Sequence, residues 1–212
     1  MIGEGVFMRI FMLRSKPHNV ERIDIFLKKN LVAIGWCDTG NLTGASKEDI
    51  RNSLQTLGYE GQSLLTNLGM VNSFINTMRE GDLVLVREGE IVHIGKVGKY
   101  MWNEKYLDKH MAHIRPTEWL SHVPFNELNA EIQSLLKNIR TICKFKGDLE
   151  QSGLDYYLTE EGSTKADLTI NNKQRESLLA NTFDVLKELM NNAEDETVRL
   201  EAAKELLKYL NK

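Results

Sequence analysis

The sequence predicts an α+β protein in which a mixed β-sheet curls into a small barrel with helices outside it, followed by an α-helical hairpin. Three observations carry this. Apolar, β-prone runs are separated by helical patterns early in the chain and joined by a tight loop later, as expected of a mixed sheet. Charge is uneven: +3 over Met1 to Lys146, −5 over Gly147 to Asn171 and −1 over Asn172 to Lys212, so the middle block reads as an acidic linker. The last block carries apolar residues at helical spacing alone. The predicted organisation is a domain over 1–146, a linker over 147–171 and a hairpin over 172–212.

Phe7 to Leu13 is the first strand pattern, followed by Pro17 and a helix predicted from Asn19 to Lys29. Leu31 to Trp36 is a short buried strand. Ser46 to Leu57 is a helix whose Ser46 and Asp49 are spaced as a capping box, and Leu68 to Met78 is a second helical pattern. Gly81 turns the chain into Leu83 to Arg87 and Ile91 to Val97, which flank Glu88, Gly89 and Glu90, a loop that closes a hairpin. A strand from His113 to Leu120, a helix from Asn129 to Asn138 and a strand from Arg140 to Phe145 complete the domain. In the linker, six acids face the single Lys165, and Gly147, Gly153, Gly162 and Ser163 interrupt any period. In the tail, Leu179, Phe183, Leu186 and Met190 make one stripe, and Val198, Ala202, Leu206 and Tyr209 part of another, across a turn at Asn191 to Ala193. Leu178, Val185, Leu189, Leu207 and Leu210 widen this apolar face beyond what two helices hide, so a covering surface is expected: a second copy of the chain, its own first domain or a partner helix.

Several chemistries are absent. The longest uncharged stretch, Gly61 to Met78, is too polar to span a bilayer, and the N-terminus lacks the pattern of a signal peptide, so a cytoplasmic location is expected. Cys37 and Cys143 stand apart, with no CxxC, which argues against a disulfide or zinc site. No Asp or Glu is followed two positions later by Lys, which removes the ending of a PD-(D/E)xK nuclease. No glycine loop ends in Gly-Lys-Ser or Gly-Lys-Thr, and no Gly-x-Ser-x-Gly elbow is present. His110 and His113 have no third metal ligand. No enzyme, cofactor or metal is expected; Asp38 is the one visible candidate for a general acid or base near the aromatic residues described next.

Those aromatics stand at the ends of elements. Trp36 ends a strand, Phe74 lies in the second helical pattern, and Tyr100 and Trp102 follow the hairpin at a spacing that puts both rings on one face. Such rings either fill a core or stack on an extruded nucleobase. Four ordered segments decide the expectation: Val32-Ala33-Ile34-Gly35-Trp36; Phe74 before Glu80-Gly81-Asp82-Leu83-Val84-Leu85-Val86; Ile94-Gly95-Lys96-Val97-Gly98-Lys99-Tyr100; and His113-Ile114-Arg115-Pro116-Thr117-Glu118-Trp119-Leu120. Together they resemble EVE-like domains of the PUA superfamily, relatives of the YTH readers, over roughly Met8 to Phe145.

The resemblance implies a PUA-like curled sheet that recognises a modified base, in a family often found in bacterial or phage restriction proteins. It places Trp36, Phe74, Tyr100 and Trp102 as cage walls, with Asp38 and Asn72 reading the base edge and Ser73 standing where relatives carry a bulkier aromatic. Trp119 is expected in the core. Lys96, Lys99, Lys105, Lys109 and Arg115 cluster around the expected pocket mouth as phosphate contacts, although Arg115 equally suits an internal acid. The expected partner is a nucleic acid carrying a modified base, DNA in preference to RNA, with a possible effector protein and possible self-association through 172–212 adding avidity. The alternative is a scaffold whose cage is filled by its own side chains.

Overall fold

A computed structural model describes residues 8–159, 161–162 and 180–210. The chain divides into two compact units, Met1–Asp167 and Leu168–Lys212. The first is an α+β unit built on a curled mixed sheet that forms a half-barrel. Its strands are β1 (Ile10–Leu13), β2 (Leu31–Ile34), β3 (Leu83–Glu88), β4 (Ile91–Val97), β5 (Met101–Trp102), β6 (His113–Pro124) and β7 (Ile142–Lys144). They lie in the order β2, β6, β4, β3, β1, β7, with β5 also on β6. β1 runs parallel to β3, and the other pairs are antiparallel.

β6 gives the sheet its curl. Its first residues pair with β2, Ile34 opposite His113 and Leu31 opposite Pro116, while Thr117 onward pairs with β4. The register shifts where Ile94 faces Ser121 but Gly95 faces Trp119, so Leu120 is the extra residue of a bulge, which bends a strand and increases its twist. Gly95 is required there, because a Cβ would sit 2.5 Å from Thr117 Cγ2 and 2.9 Å from Trp119 Cε3. Trp119 in turn donates its indole N–H to the Phe26 carbonyl at 3.3 Å, a packing role as its sequence position implies.

The central strands are apolar without interruption because both faces are covered. Phe11, Leu13, Val84 and Val86 point into one core, under α1 (Ile23–Lys29), α2 (Lys47–Thr56) and α3 (Gly61–Asn72). Ile10, Met12, Leu83 and Leu85 alternate into a second core with Ile132 and Leu136 of α4 (Ala130–Leu136). The capping box predicted at α2 is present, with Ser46 Oγ accepting from the Asp49 N–H at 3.2 Å and Asp49 Oδ2 accepting from the Ser46 N–H at 2.8 Å.

Where the elements depart furthest from the sequence expectation, a local reason is visible. α1 starts at Ile23, since His18 and Asn19 take left-handed φ of 51° and 60° in a 3-10 turn. α3 begins at Gly61 because Leu64 and Leu68 already bury one face, and it continues into a π turn over Ser73–Thr77. The first part of the expected linker belongs to the first unit. There α5 (Leu149–Ser152) forms with its own capping box, Leu154 is fully buried in the second core, and Asn129 Nδ2 donates to the carbonyls of Gln151 and Ser152. Acidic residues on its exposed side concealed this apolar anchoring.

The second unit holds α6 (180–192) and α7 (Glu196–Leu210), joined by a short turn that Asp195 caps through the Thr197 N–H at 2.7 Å. Ala202 and Leu206 are buried and Phe183, Leu186 and Met190 half-buried, whereas Val185, Leu189, Val198 and Leu207 are exposed. Leu178 and Leu179 lie outside the described residues, as do the side chains of Tyr209 and Leu210.

The bulge yields a direct expectation. Gly95→Ala forces the Thr117 and Trp119 side chains apart and lowers stability by about 1–3 kcal/mol, read as a lower denaturant midpoint with unchanged slope.

Candidate functional site

β6 alternates its side chains, so His113, Arg115 and Thr117 share one face, and all three are buried. Burial of polar groups is tolerated only where partners replace water. The His113 ring supplies a closed set: Nδ1 lies 2.9 Å from Tyr100 Oη, and Nε2 lies 3.1 Å from the Trp36 carbonyl and 3.1 Å from Thr39 Oγ1. Tyr100 Oη also accepts from the Leu42 N–H at 3.3 Å. A carbonyl can only accept, so Nε2 carries the proton and donates to Trp36, and Nδ1 accepts from the phenol. Burial holds the Tyr100 phenol up at about 12, which keeps it a donor. Burial likewise pushes His113 down to about 4, against a smaller opposing effect of the Trp36 carbonyl.

Arg115 uses its fork inside the fold. Nε donates to the Phe74 carbonyl at 2.9 Å, one terminal nitrogen to Gly98 at 2.7 Å, and the other to Ile75 at 3.2 Å and Met78 at 2.7 Å. Three of these carbonyls end the α3 and π-turn segment, where backbone acceptors have no helical partner and a cation is favoured. Its guanidinium also lies 5.5 Å from the Phe74 ring centroid. Burial lowers its pKa to about 10, with the Asp82 charge opposing, so it stays protonated. Asp82 itself is buried after Gly81, whose φ of 88° suits glycine. Its carboxylate accepts from the Arg79 N–H at 2.7 Å and pairs with Arg9 at 2.7 Å.

A cavity of about 280 Å³ opens beside Trp36, near the lower end of the range for small-molecule sites. Trp36 and Tyr59 supply rings, Asp38 and Asn67 supply polar edges, and His18 and His110 stack on each other at 4.2 Å along the same cavity. Trp36 has a left-handed φ of 63°, rare for a bulky residue and a form of strain that surrounding structure must impose. That structure is visible: the His113 ring and the Thr39 hydroxyl, at 2.8 Å, donate to its carbonyl, and its indole N–H donates to Asn67 Oδ1 at 3.1 Å.

The structure separates the residues expected to form one cage. Trp36 and Asp38 line this cavity. Phe74 is fully buried, edge-on to Tyr100 at 6.5 Å, while Tyr100 and Trp102 pack against His113, so these three rings do not line the cavity. Asn72 accepts from Asn76, and Ser73 lines a different groove beside β7. Among the expected phosphate contacts, Arg115 is a core residue because its donors are taken by backbone carbonyls. Lys96, Lys99 and Lys109 make surface ion pairs with Glu118, Glu80 and Asp108, which are weak enough to exchange, and Lys105 is exposed. Tyr59, Asn67, His18 and His110 were not legible as site residues. His113 was, in principle, through its period-two relation to Arg115.

The fold and cavity thus define an α+β half-barrel with an aromatic pocket at a strand end. The chain belongs to a family described as a domain of unknown function (DUF8426), whose model matches residues 12–144. No curated protein matches it. Among the described residues no helix is long and apolar enough to cross a membrane, and no group of three or more His, Cys, Asp or Glu could hold a metal.

Two outcomes are expected. In the folded state His113 stays neutral while the unfolded chain protonates near 6.5, so stability is complete above pH 6.5 and falls as the pH drops toward 4. The loss amounts to roughly 3 kcal/mol, measured as denaturant midpoints across pH, and His113→Gln flattens this acid slope. Arg115→Met strands several buried carbonyls and lowers stability by about 3 kcal/mol or more; Arg115→Lys does not restore it, since a point charge cannot span the same carbonyls.

Proposed function

We propose that this chain is a non-enzymatic reader that accepts a modified nucleobase in the cavity beside Trp36, on a PUA-like fold of the EVE type. The observation that carries the reading is the half-buried indole held in a strained backbone conformation by His113 and Asn67, facing an open cavity with Asp38 at its edge. Strain of this kind is maintained where function needs it. The indole and Tyr59 offer faces for a base to stack on, and Asp38 accepts from an exocyclic amine, as acidic side chains do with cytosine. Lys96, Lys99, Lys105 and Lys109 provide weak, salt-sensitive backbone contact, with DNA the preferred nucleic acid. The tail's exposed apolar positions support self-association, through which several such pockets gain avidity. A bacterial or phage defence setting, recruitment of a separate effector and a cytoplasmic location belong to the same reading.

A second reading, a scaffold that binds a protein partner, is favoured by one observation: Phe74, Tyr100 and His113 fill with the protein's own side chains the space expected of a cage. Titration with matched oligonucleotides carrying unmodified, methylated and hydroxymethylated bases, in DNA and RNA, separates the two. For a reader, binding depends on the modification, and Trp36→Ala stays folded while losing the stacking contribution of about 1–3 kcal/mol, some tenfold to a hundredfold in Kd. For a scaffold, no oligonucleotide binds and the same substitution costs about 3–5 kcal/mol of stability.

A further inference from the structure

Among the described residues β7 is an edge strand, and the side turned away from β1 opens into a groove of about 920 Å³ between α3 and α4. The Arg14 N–H donates to the Thr141 carbonyl and the Phe145 N–H to the Ile10 carbonyl, with Met12 opposite Cys143. Antiparallel alternation then directs the N–H and C=O of Thr141, Cys143 and Phe145 to β1, and those of Ile142 and Lys144 away from it. The outward groups are a template for another extended chain. The groove has an apolar wall in Leu65, Met70 and Leu135, of which Leu65 is more than half exposed. Along and beside the strand lie Arg140, Lys144 and Lys146, all exposed and without an ion-pair partner among the described residues, against Glu131 as the acid of the lining. Size, apolar wall and free backbone suit a peptide.

We infer that this groove binds an extended acidic peptide that adds to β7 as an antiparallel strand. Charge selects this occupant. Two copies of β7 paired about Cys143 would set Arg140 opposite Lys146 of the second copy on both sides, and like charges directly opposite are destabilising, whereas Glu or Asp placed opposite Arg140, Lys144 and Lys146 meets all three exposed cations. Main-chain bonds give the affinity and the alternate side chains the selectivity. The surface is distinct from the Trp36 cavity and shares no lining residue with it.

The probe is a labelled, end-blocked peptide alternating Glu and Val, compared with its Lys and Val counterpart and with a single-stranded oligonucleotide, on the full chain. The Glu peptide is expected to bind and to slow hydrogen exchange at the Ile142 and Lys144 amides about tenfold or more, with Cys143 and Phe145 protected throughout. Lys144→Pro removes an outward N–H without touching the ladder to β1, and Arg140→Glu with Lys146→Glu reverses the rim. Each weakens binding about tenfold or more with thermal unfolding unchanged, and the double variant decides the matter where the proline variant does not fold. Equal binding of the Lys peptide, displacement by the oligonucleotide, protection of Ile142 and Lys144 in the free chain, or protection that rises with protein concentration alone overturns the proposal.

Discussion

The buried polar row on β6 is the constraint from which the rest of the first unit follows. His113, Arg115 and Thr117 stand on one face of the strand that joins the two halves of the sheet, in an environment where each unmet donor or acceptor is costly. Their partners come from distant parts of the chain: Trp36 and Thr39 after β2, Tyr100 before β5, Phe74 to Met78 at the end of α3, and Gly98 after β4. Satisfying the row therefore brings these segments together with little freedom. Hydrophobic burial gives the unit its cohesion; the polar row gives it one arrangement.

That arrangement builds the cavity from both sides. Through the carbonyl of Trp36, His113 stabilises a left-handed turn that presents the indole at a strand end. Through the carbonyls of Phe74, Ile75 and Met78, Arg115 secures the helical segment whose Asn67 orients the same indole. Tyr100 and Trp102 pack on His113, with Phe74 edge-on to Tyr100, and the burial of the imidazole keeps it neutral. A neutral His113 can accept from Tyr100 and donate to Trp36 at once, which the imidazolium, with two donors, cannot. The electrostatics of the core and the shape of the pocket are thus one property.

The sheet is closed by helices on both faces but remains open at β7, and the two facts have a common origin. Alternate residues of β1 and β3 fill different cores, so the interior strands are sealed, while β7 is short and has cations at and just beyond its ends. Such an edge resists pairing with itself and leaves a basic surface next to an apolar groove, separate from the aromatic cavity.

Most elements were legible because local chemistry dictates them: the capping box at Ser46 and Asp49, the hairpin around Gly89, and the apolar, β-prone runs of β1, β2 and β3. Trp36 and Asp38 were legible as pocket residues since both lie at a strand end, where side chains leave the ladder. The roles of Phe74, Tyr100 and Arg115 were not, because an aromatic ring or a guanidinium suits a pocket and a core alike, and burial is set by what packs above it. Tyr59 and Asn67 carried no local signal; the packing of α2 against α3 delivers them. By itself the sequence determined most of the elements, the mixed curled sheet and the acidic turn of composition after Lys146. Tertiary structure alone decided which polar groups are buried, which rings face the cavity and that residues 149–158 join the first unit, since those outcomes depend on contacts between residues tens of positions apart that no local pattern encodes.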